Sequence, residues 1–486
     1  MPIAIHWGRF VVGSATRLAG VFALLIVALA GAQGKQPNIV VIWSDDQAAR
    51  TLGCEGNTVI RTPNIDRLAA EGVRFSRHYI PAPLCGPSRA AFITGRYPYE
   101  AGMMNNRDDT FDHSLTTLPQ MLRGVGYRCA LVGKWHLGEP FDPQCGFDDY
   151  WAALDLDESG GPAIKKHFDM VLWKNGRRVE TRGYGTSVLT DYALRYIRSA
   201  ATAGDRPFFL WLAYRSPHWP YLAPPGVEPY DAAKVSLPAS ITDDLSGKPK
   251  YQRDDPPHIS FKSLGAEKMR ESIAVYYAMV TAVDQNVGRV MACLDELGIA
   301  DDTIVIYASD NGWLLGEHQM HGKSAAFYEE LVRMPLVVRW PCGWPRGRIV
   351  DALVSSMDLF PTLARIGGAA LPSDLDGFDL SPLARGQVAS VREYSYLSFD
   401  RKEGRPEPRP MLGVVTSGFK YNRYLEDGSE ELYDLTRDPF EMENAVEQPR
   451  LAEQLAHLRA KIDEYRTSIR PPFWDERTLR RGKKPR

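Results

Sequence analysis

The sequence predicts an α/β fold: a large α/β/α domain on a mostly parallel central sheet, followed by a smaller C-terminal α+β domain. Three observations lead to this prediction. Apolar, β-branched runs recur between residues 38 and 307, amphipathic helical patterns separate them, and each run ends in polar side chains. Continuous apolar runs are typical of strands buried on both faces, as the strands of parallel sheets are.

Four of these runs are predicted to be neighbouring strands of the central sheet. Because ligands bind outside the carboxyl ends of the strands in such sheets, the polar residues that follow them should share one edge. The runs are residues 38–43, 128–132, 208–213 and 303–307, and they lead into Asp45 and Asp46, Lys134 and His136, His218, and Asp310 and Asn311, respectively.

The segments between the strands carry apolar residues at helical spacing. Shorter stripes fall at residues 65–69 and 118–122, and Ser88 is expected to cap a helix that carries the apolar residues 91–93. The longest stripe comprises Ile273, Tyr276, Tyr277, Val280, Val283, Val287, Val290 and Leu294.

Beyond Pro372 the pattern changes to short strands and one amphipathic helix. Residues 411–416 and 420–425 are predicted strands joined by a turn at Ser417 and Gly418, and residues 451–465 are a predicted helix. The predicted boundaries are therefore a large domain at 36–372, a smaller α+β domain at 373–472 and a solvated basic tail at 473–486.

The N-terminal segment carries the features of an export signal. Arg9 and Arg17 precede an apolar run from Leu18 to Ala30, and a small-residue site ends at Ala32. This pattern predicts a secretory signal peptide at residues 1–32 and a periplasmic or extracellular protein. An uncleaved N-terminal anchor is the alternative. No second long apolar segment follows, so no stable membrane span is predicted for the mature protein.

Composition excludes some classes of function. The 486 residues include 58 Lys and Arg against 60 Asp and Glu, a balance that argues against a nucleic-acid-binding protein. Six cysteines are too few for a disulfide scaffold in a chain of this length.

Segment 231–262 is expected to be a long surface excursion, because it is rich in Pro, Asp, Ser and Lys and its apolar residues show no regular period.

Two adjacent polar pairs indicate a metal site. Asp45 with Asp46, and Asp310 with Asn311, offer only oxygen ligands, which favours a hard divalent cation over zinc or copper. Burying several carboxylates together without a cation would be costly, because like charges repel and desolvation is expensive.

Several motifs together resemble the type I, formylglycine-dependent sulfatases, and the resemblance extends from about residue 37 to 444. It implies the alkaline-phosphatase-like architecture and oxidation of Cys85 to Cα-formylglycine by a formylglycine-generating enzyme. The motifs are C-x-P-S-R with T-G-R at residues 85–96, G-K-W-H-L-G at 133–138, P-H-x-P at 217–220, S-D-N-G-x-x-L-G-E-H with a following lysine at 309–323, R-M-P-L at 333–336 and E-L-Y-D-L at 431–435.

The same resemblance implies roles for ten residues. A calcium ion, with magnesium as the alternative, would be held by Asp45, Asp46, Asp310, Asn311 and the converted Cys85. Arg89 would hold the formylglycine hydrate with His136 nearby, while Lys134, His218 and Lys323 would bind the sulfate and protonate the leaving oxygen.

The chemistry explains the need for an aldehyde. Hydrated formylglycine is a geminal diol, and one hydroxyl attacks sulfur while the alcohol leaves. Loss of the proton of the second hydroxyl then expels sulfate by C–O cleavage and restores the aldehyde, an exit that serine lacks. The predicted function is hydrolysis of sulfate esters, with sulfated carbohydrate as the substrate on family analogy.

Two other functions stay open at this point. The first is a phosphonate or phosphate mono- or diester hydrolase of the same superfamily. The second is a non-catalytic protein that binds sulfated glycans, which would have no need for a nucleophile.

Segment 231–262 and the C-terminal domain are expected to form the walls of the substrate pocket, because the match to the family pattern is weakest there.

Overall fold

The computed structural model describes residues 35–106, 111–156, 166–254, 259–260, 264–323, 326–400 and 410–469. The predicted signal peptide at 1–32 and the predicted basic tail at 473–486 lie outside the described residues, as does part of segment 231–262. No helix in the described ranges has both the length and the apolar character needed to cross a membrane.

Seventeen strands and ten α-helices make up the described part of the chain. The strands are β1 Asn38–Ser44, β2 Val73–Tyr79, β3 Arg128–Gly133, β4 Tyr150–Leu154, β5 Val171–Lys174, β6 Arg177–Glu180, β7 Phe208–Ala213, β8 Ile259–Ser260, β9 Thr303–Ser309, β10 Leu314–Leu315, β11 Met320–Gly322, β12 Leu336–Arg339, β13 Arg348–Ser355, β14 Ser395–Phe399, β15 Met411–Val415, β16 Phe419–Tyr424 and β17 Glu430–Asp434. The α-helices are α1 Pro63–Ala70, α2 Cys85–Thr94, α3 Leu118–Gly124, α4 Gly185–Ala203, α5 Lys250–Asp254, α6 Ala266–Glu296, α7 Glu329–Val332, α8 Leu359–Ile366, α9 Ser381–Ala384 and α10 Ala452–Ser468.

Ten of the strands form one sheet, which confirms the predicted α/β class. Its order is β13-β2-β12-β9-β1-β7-β3-β4-β5-β6. The run β9-β1-β7-β3-β4 is parallel throughout, and antiparallel pairs occur only toward the two edges of the sheet among the described strands. The four strands predicted from apolar runs are β9, β1, β7 and β3, and they are neighbours in this order.

Helices cover both faces of the sheet, and β1 shows why its sequence is apolar throughout. Ile39, Val41 and Trp43 face one core, which α2, α3 and α8 complete. Val40 and Ile42 face the opposite core, which α1, α4 and α6 complete. Because successive side chains of a strand point to opposite faces, a strand covered on both sides must be apolar at every position.

A second, four-stranded antiparallel sheet follows, in the order β14-β15-β16-β17, and α10 packs on it. The two predicted C-terminal strands are β15 and β16, and the predicted helix is α10, so these elements are confirmed. Within the described residues from Pro37 onward, both sheets belong to one compact unit. The domain boundary at residue 372 therefore stays a prediction.

A buried cation joins the second sheet to the segment that carries α7. Lys420 on β16 is fully buried, and its Nζ lies 2.9 Å from Oε1 of Glu329 and 2.7 Å from Oε1 of Glu441. It also donates a hydrogen bond of 2.6 Å to the carbonyl oxygen of Phe327. Burial lowers the pKa of Lys420, but the two glutamates outweigh it and leave the pKa above its usual value.

The substitution Lys420→Met is therefore expected to lower the free energy of unfolding by about 3 to 5 kcal/mol, because it leaves buried carboxylates without their cation. The measurement is the guanidinium chloride midpoint of unfolding. Lys461, on the surface of α10, pairs with Glu464 at 2.8 Å and provides the control, since Lys461→Met should leave the midpoint nearly unchanged. Equal midpoints for wild type and Lys420→Met would contradict a structural role for this cluster.

Candidate active site

The carboxyl ends of β1, β3, β7 and β9 bring the predicted residues to one edge of the sheet, as expected. Asp45 and Asp46 follow β1, Lys134 follows β3, and Asp310 follows β9 directly. His218 lies five residues beyond the end of β7. Hydrogen bonds and ion pairs connect these residues with Cys85, Arg89, Asn311 and Lys323, so nine of the ten predicted residues form one contact network.

Cys85 is the first residue of α2, and this corrects the sequence prediction. Ser88 is not the cap: it lies inside the helix, and its backbone N–H donates to the carbonyl oxygen of Leu84 at 3.0 Å. The side chain of Asn106 takes the capping role instead, since its Oδ1 accepts from the N–H of Gly86 at 2.9 Å. A cap supplied from a distant segment leaves no local sequence pattern, which is why the helix start was predicted too late.

Two glycines let the backbone of the site approach its neighbours closely. A Cβ on Gly133, which has φ of +108°, would lie 1.9 Å from the carbonyl oxygen of Ala213. A Cβ on Gly312 would lie 1.7 Å from the carbonyl oxygen of Glu330. Both contacts are impossible for any other residue, so these glycines fix how the chain leaves β3 and β9 and presents Lys134 and Asn311.

The sulfur atom of Cys85 is enclosed by charged side chains. Sγ lies 3.3 Å from Oδ1 of Asp45, 3.9 Å from Oδ1 of Asp46 and 2.8 Å from Nζ of Lys323. Burial, followed by the charge of Asp45, raises the pKa of the thiol to about 12. An unmodified Cys85 therefore stays protonated at neutral pH, and a protonated thiol is a poor nucleophile.

Each aspartate after β1 faces a lysine. Nζ of Lys134 donates to Oδ2 of Asp45 at 2.6 Å, and Nζ of Lys323 donates to Oδ1 of Asp46 at 2.7 Å. Burial raises the pKa of Asp45, but the surrounding cations, Lys134 first, outweigh it and leave the pKa well below its usual value. Burial raises the pKa of Asp46 to about 7, against the opposing charge of Lys323.

Asp310 connects β9 with α2. Its Oδ2 accepts from Nε of Arg89 at 2.8 Å and lies 2.7 Å from Nη2, and both side chains are fully buried. Its Oδ1 accepts from the backbone N–H groups of Asp46 and Asn311 at 3.2 and 2.8 Å. Arg89 also donates to the carbonyl oxygen of Lys134 at 2.6 Å, so one buried ion pair holds three segments of the site together.

The site contains a group of side chains that could hold a metal ion. Asp45, Asp46, Cys85 and His218 each offer a ligand atom, and these atoms all lie within 4.8 Å of one another. Oδ2 of Asp46 and Oδ1 of Asn311 are buried without a hydrogen-bond partner among the described residues. Because a buried oxygen without a partner is costly, these two oxygens are suited to a cation such as Ca²⁺ or Mg²⁺.

The two histidines differ in their surroundings. Nδ1 of His218 lies 2.5 Å from the carbonyl oxygen of Trp219 and must donate to it, and Nε2 lies 3.5 Å from Oδ2 of Asp46. Nδ1 of His136 is buried and has no hydrogen-bond partner among the residues that the structure describes. Burial lowers the pKa of both histidines well below the usual value, with Lys134 adding to the effect for His136.

Two residues of the site have a backbone conformation that is unfavourable for them. Asp46 has φ of 67° and His136 has φ of 60°, both in the left-handed region. Such strain costs on the order of 1 to 3 kcal/mol per residue and persists where the surrounding structure enforces it. Its presence at two predicted site residues, one after β1 and one after β3, indicates that side-chain placement here takes precedence over local stability.

Three residues that the sequence did not predict contact residues of the site. The hydroxyl of Tyr276 donates to the carbonyl oxygen of Asp46 at 2.8 Å, and Nε2 of His167 lies 2.8 Å from the carbonyl oxygen of His218. The ring of Trp313 lies 5.9 Å from Nζ of Lys323. Tyr276 falls in the apolar stripe of α6, and no motif marks His167, so no signal in the sequence points to these contacts.

The chain matches two protein families along most of its length. The family described as Sulfatase matches residues 37–369, and the family described as N-sulphoglucosamine sulphohydrolase, C-terminal, matches residues 316–468. An N-acetylglucosamine-6-O-sulfatase of Bacteroides thetaiotaomicron is 28% identical, over 91% of this chain and 88% of its own length.

Solved structures show the same architecture. One, of a protein in complex with its substrate D-glucosamine-2-N,6-O-disulfate, has a TM-score of 0.80 at 26% identity and covers 91% of this chain and 100% of that chain. Another, a phosphonate monoester hydrolase from Silicibacter pomeroyi, has a TM-score of 0.74 at 25% identity and covers 89% of this chain and 96% of that chain.

Proposed function

This chain belongs to the sulfatase family and is a sulfuric ester hydrolase, and on that premise we propose that it is an exported enzyme that desulfates carbohydrates with residue 85 as its nucleophile. One observation carries the proposal. Residue 85 begins a helix at the carboxyl edge of the sheet, within hydrogen-bond distance of both Asp45 and Lys323. The relatives named for sulfated glucosamine support carbohydrate as the substrate class.

We propose that residue 85 acts in its oxidised form. The pKa of the thiol, raised to about 12 by burial, argues against a thiolate nucleophile. As formylglycine, formed by a generating enzyme that recognises C-x-P-S-R, the residue would supply an aldehyde hydrate, with one hydroxyl for attack and a second for release of sulfate. Asp45 lies 3.3 Å from the sulfur position and can accept a proton there.

The proposed metal ligands are the oxygens gathered at the ends of β1 and β9, together with the oxidised residue 85. A bound Ca²⁺ or Mg²⁺ would act as a Lewis acid and lower the pKa of a hydroxyl that it binds. The residues that would hold it are Asp45, Asp46, Asp310 and Asn311, two of which present buried oxygens without hydrogen-bond partners in the described structure.

The lysines are proposed to bind the sulfuryl group. Nζ of Lys323 lies 2.8 Å from Sγ of Cys85, so it can reach an oxygen of a sulfate held at that atom. Nζ of Lys134 lies 2.6 Å from Oδ2 of Asp45. Fixed cations in a buried site stabilise the negative charge that develops on the sulfuryl oxygens, and the lysine ammonium groups can protonate the leaving oxygen to give the alcohol. His218 would assist through Nε2, the ring atom that faces Asp46.

The experiment that tests this function keeps the leaving group constant and varies the group that is transferred. Protein produced together with a formylglycine-generating enzyme should hydrolyse 4-nitrophenyl sulfate with a higher kcat/KM than 4-nitrophenyl phosphate or a 4-nitrophenyl phosphonate monoester. The phosphonate substrate is included because a phosphonate monoester hydrolase shares this architecture. A preference for the phosphonate would establish that alternative, and no turnover at all would favour a glycan-binding protein.

The substitution Lys134→Ala is expected to lower kcat for the sulfate about a hundredfold to a thousandfold, because one fixed donor to the developing charge is lost. The matched control is Lys268→Ala, at an exposed lysine in the first turn of α6, which should leave kcat unchanged. A kcat for Lys134→Ala that equals that of the control would remove Lys134 from the proposed machinery.

A further inference from the structure

A cavity of about 520 Å³ opens beside His136 and is not explained by the sulfuryl-binding residues. On one side it reaches Asn106, whose side chain caps the helix that begins at Cys85. The remaining described lining comes from the chain after β3 and after β4, at residues 138–141 and 154–156. The cavity is therefore next to the candidate nucleophile, and its volume is that of a small-molecule site.

An aromatic side chain forms part of the cavity wall. Phe141 lines the cavity and is 42% exposed, which is unusual for a phenylalanine. Its ring is held edge-on against that of Trp173 on β5, with 4.6 Å between the ring centroids. Nε1 of Trp173 donates to Oδ2 of Asp155 at 3.3 Å, so the aromatic pair and the carboxylate are fixed to each other. An aromatic face flanked by hydrogen-bonding groups is suited to the apolar face of a sugar ring.

The described lining of the cavity carries charge opposite to that of the sulfuryl site. Apart from His136, the ionisable side chains of its described lining are Glu139 and Asp155, both acidic. Lys134, Lys323 and Arg89 lie on the side of Cys85. A sulfate group is attracted to the cations, whereas a second anionic group placed in the cavity would lie near two acidic residues of the lining.

We infer that this cavity is the subsite for the sugar ring that carries the scissile ester. Its residues Glu139 and Asp155 select rings whose other substituents are hydroxyl or ammonium groups rather than sulfate or carboxylate. This inference rests on the proposed function. Carboxylates accept hydrogen bonds from hydroxyls and pair with an ammonium group, and they repel anions. Selection by such repulsion needs no additional contact with the favoured substrate.

The test varies one substituent of the substrate at a time. Glucosamine carrying a sulfate ester at O3, O4 or O6 identifies the position that the wild-type enzyme cleaves fastest. That compound is then compared with its N-acetyl form, in which the nitrogen carries a neutral acetyl group, and with its N-sulfo form, in which it carries an anionic sulfo group. We expect kcat/KM for the N-sulfo form to be about tenfold or more below that of the free amine, because like charges are placed together.

Substitution then links the preference to the two acids. The double variant Glu139→Gln/Asp155→Asn should raise the relative kcat/KM of the N-sulfo form toward that of the N-acetyl form, and Glu139→Lys should raise it further. In both variants the readout is the ratio of kcat/KM for the N-sulfo form to kcat/KM for the N-acetyl form, because a general loss of activity lowers both values and leaves their ratio unchanged. Glu296→Gln, at a surface carboxylate that ends α6 and pairs with Arg198, is the control and should retain the wild-type preference.

The outcomes separate this inference from the function on which it rests. Absence of 4-nitrophenyl sulfate hydrolysis in the wild type would overturn the proposed function itself. Normal hydrolysis of that ester would leave the function standing. In that case, failure to cleave any of the amino-sugar esters, equal rates for the three charge forms, or a preference that survives the double variant would each overturn the assignment of the cavity.

Discussion

Protein in which residue 85 is an unmodified cysteine, or is replaced by serine, is expected to lose at least about a thousandfold in kcat for sulfate-ester hydrolysis, as enzymes do when the nucleophile is removed. Burial raises the pKa of the thiol to about 12, so little thiolate is available. A serine lacks the second hydroxyl that releases sulfate from the oxidised residue. Cys85→Ser should therefore at best accumulate a sulfated protein that does not turn over.

Folding should not depend on the modification. Residue 85 occupies one fully buried position at the start of α2, and a thiol, a hydroxyl and an aldehyde differ little in volume, so the thermal midpoint should change only slightly. Cys129, equally buried in the core of β3, provides the matched control, and Cys129→Ser should retain activity. Both variants lose a buried sulfur. A difference between them in activity is therefore due to the role of residue 85 in catalysis.

Mass spectrometry measures the modification directly. Trypsin should release the peptide His78–Arg89, and in active protein it should be lighter than the encoded peptide by the difference between CH₂SH and CHO. The aldehyde should also react with a hydrazide probe. If protein with an intact Cys85 thiol hydrolyses sulfate esters at the full rate, the formylglycine mechanism is wrong and another group attacks sulfur.

The sequence predicted the interior of the sheet well and its edges poorly. β1, β3, β7 and β9 are covered by helices on both faces, and this double burial requires an apolar residue at every position. β2 and β13 lie toward one edge, and charged residues interrupt their apolar residues, a pattern that loops and amphipathic segments share. The information that makes them strands lies in their pairing with each other, between positions about 275 residues apart.

The same distinction holds for the candidate site. Residues that directly follow a buried strand, such as Asp45 and Asp310, could be placed because the strand ends are visible in the sequence. Supporting contacts could not, because they join segments distant in the chain. Asn106 caps the helix of Cys85 from 20 residues away, and Tyr276 reaches Asp46 from α6 across 230 residues. Neither contact leaves a local pattern.

The second large effect is expected at Asp310, where the proposed metal site and a buried ion pair coincide. In wild-type protein, saturation with Ca²⁺ should raise the thermal midpoint, since a ligand at about 100 times its Kd stabilises the folded state by about 2.7 kcal/mol. In Asp310→Asn this metal-dependent rise should be strongly reduced, and sulfatase activity should be lost. The carboxylate contributes charge to the cation and fixes Arg89 at 2.7 to 2.8 Å, and the amide does neither equally well.

The loss of a buried ion pair alone also destabilises a protein, so the matched control must remove one elsewhere. Asp358 is fully buried and pairs with Arg392, outside the contact network of the site. Asp358→Asn should lower the thermal midpoint of the metal-free protein at least as much as Asp310→Asn, because each variant leaves a buried arginine without its carboxylate. Only Asp310→Asn, however, should lose the additional rise on adding Ca²⁺ or Mg²⁺. An equal metal-dependent rise in wild type and Asp310→Asn, or full activity after removal of metal by a chelator, would contradict the assignment of Asp310 as a ligand.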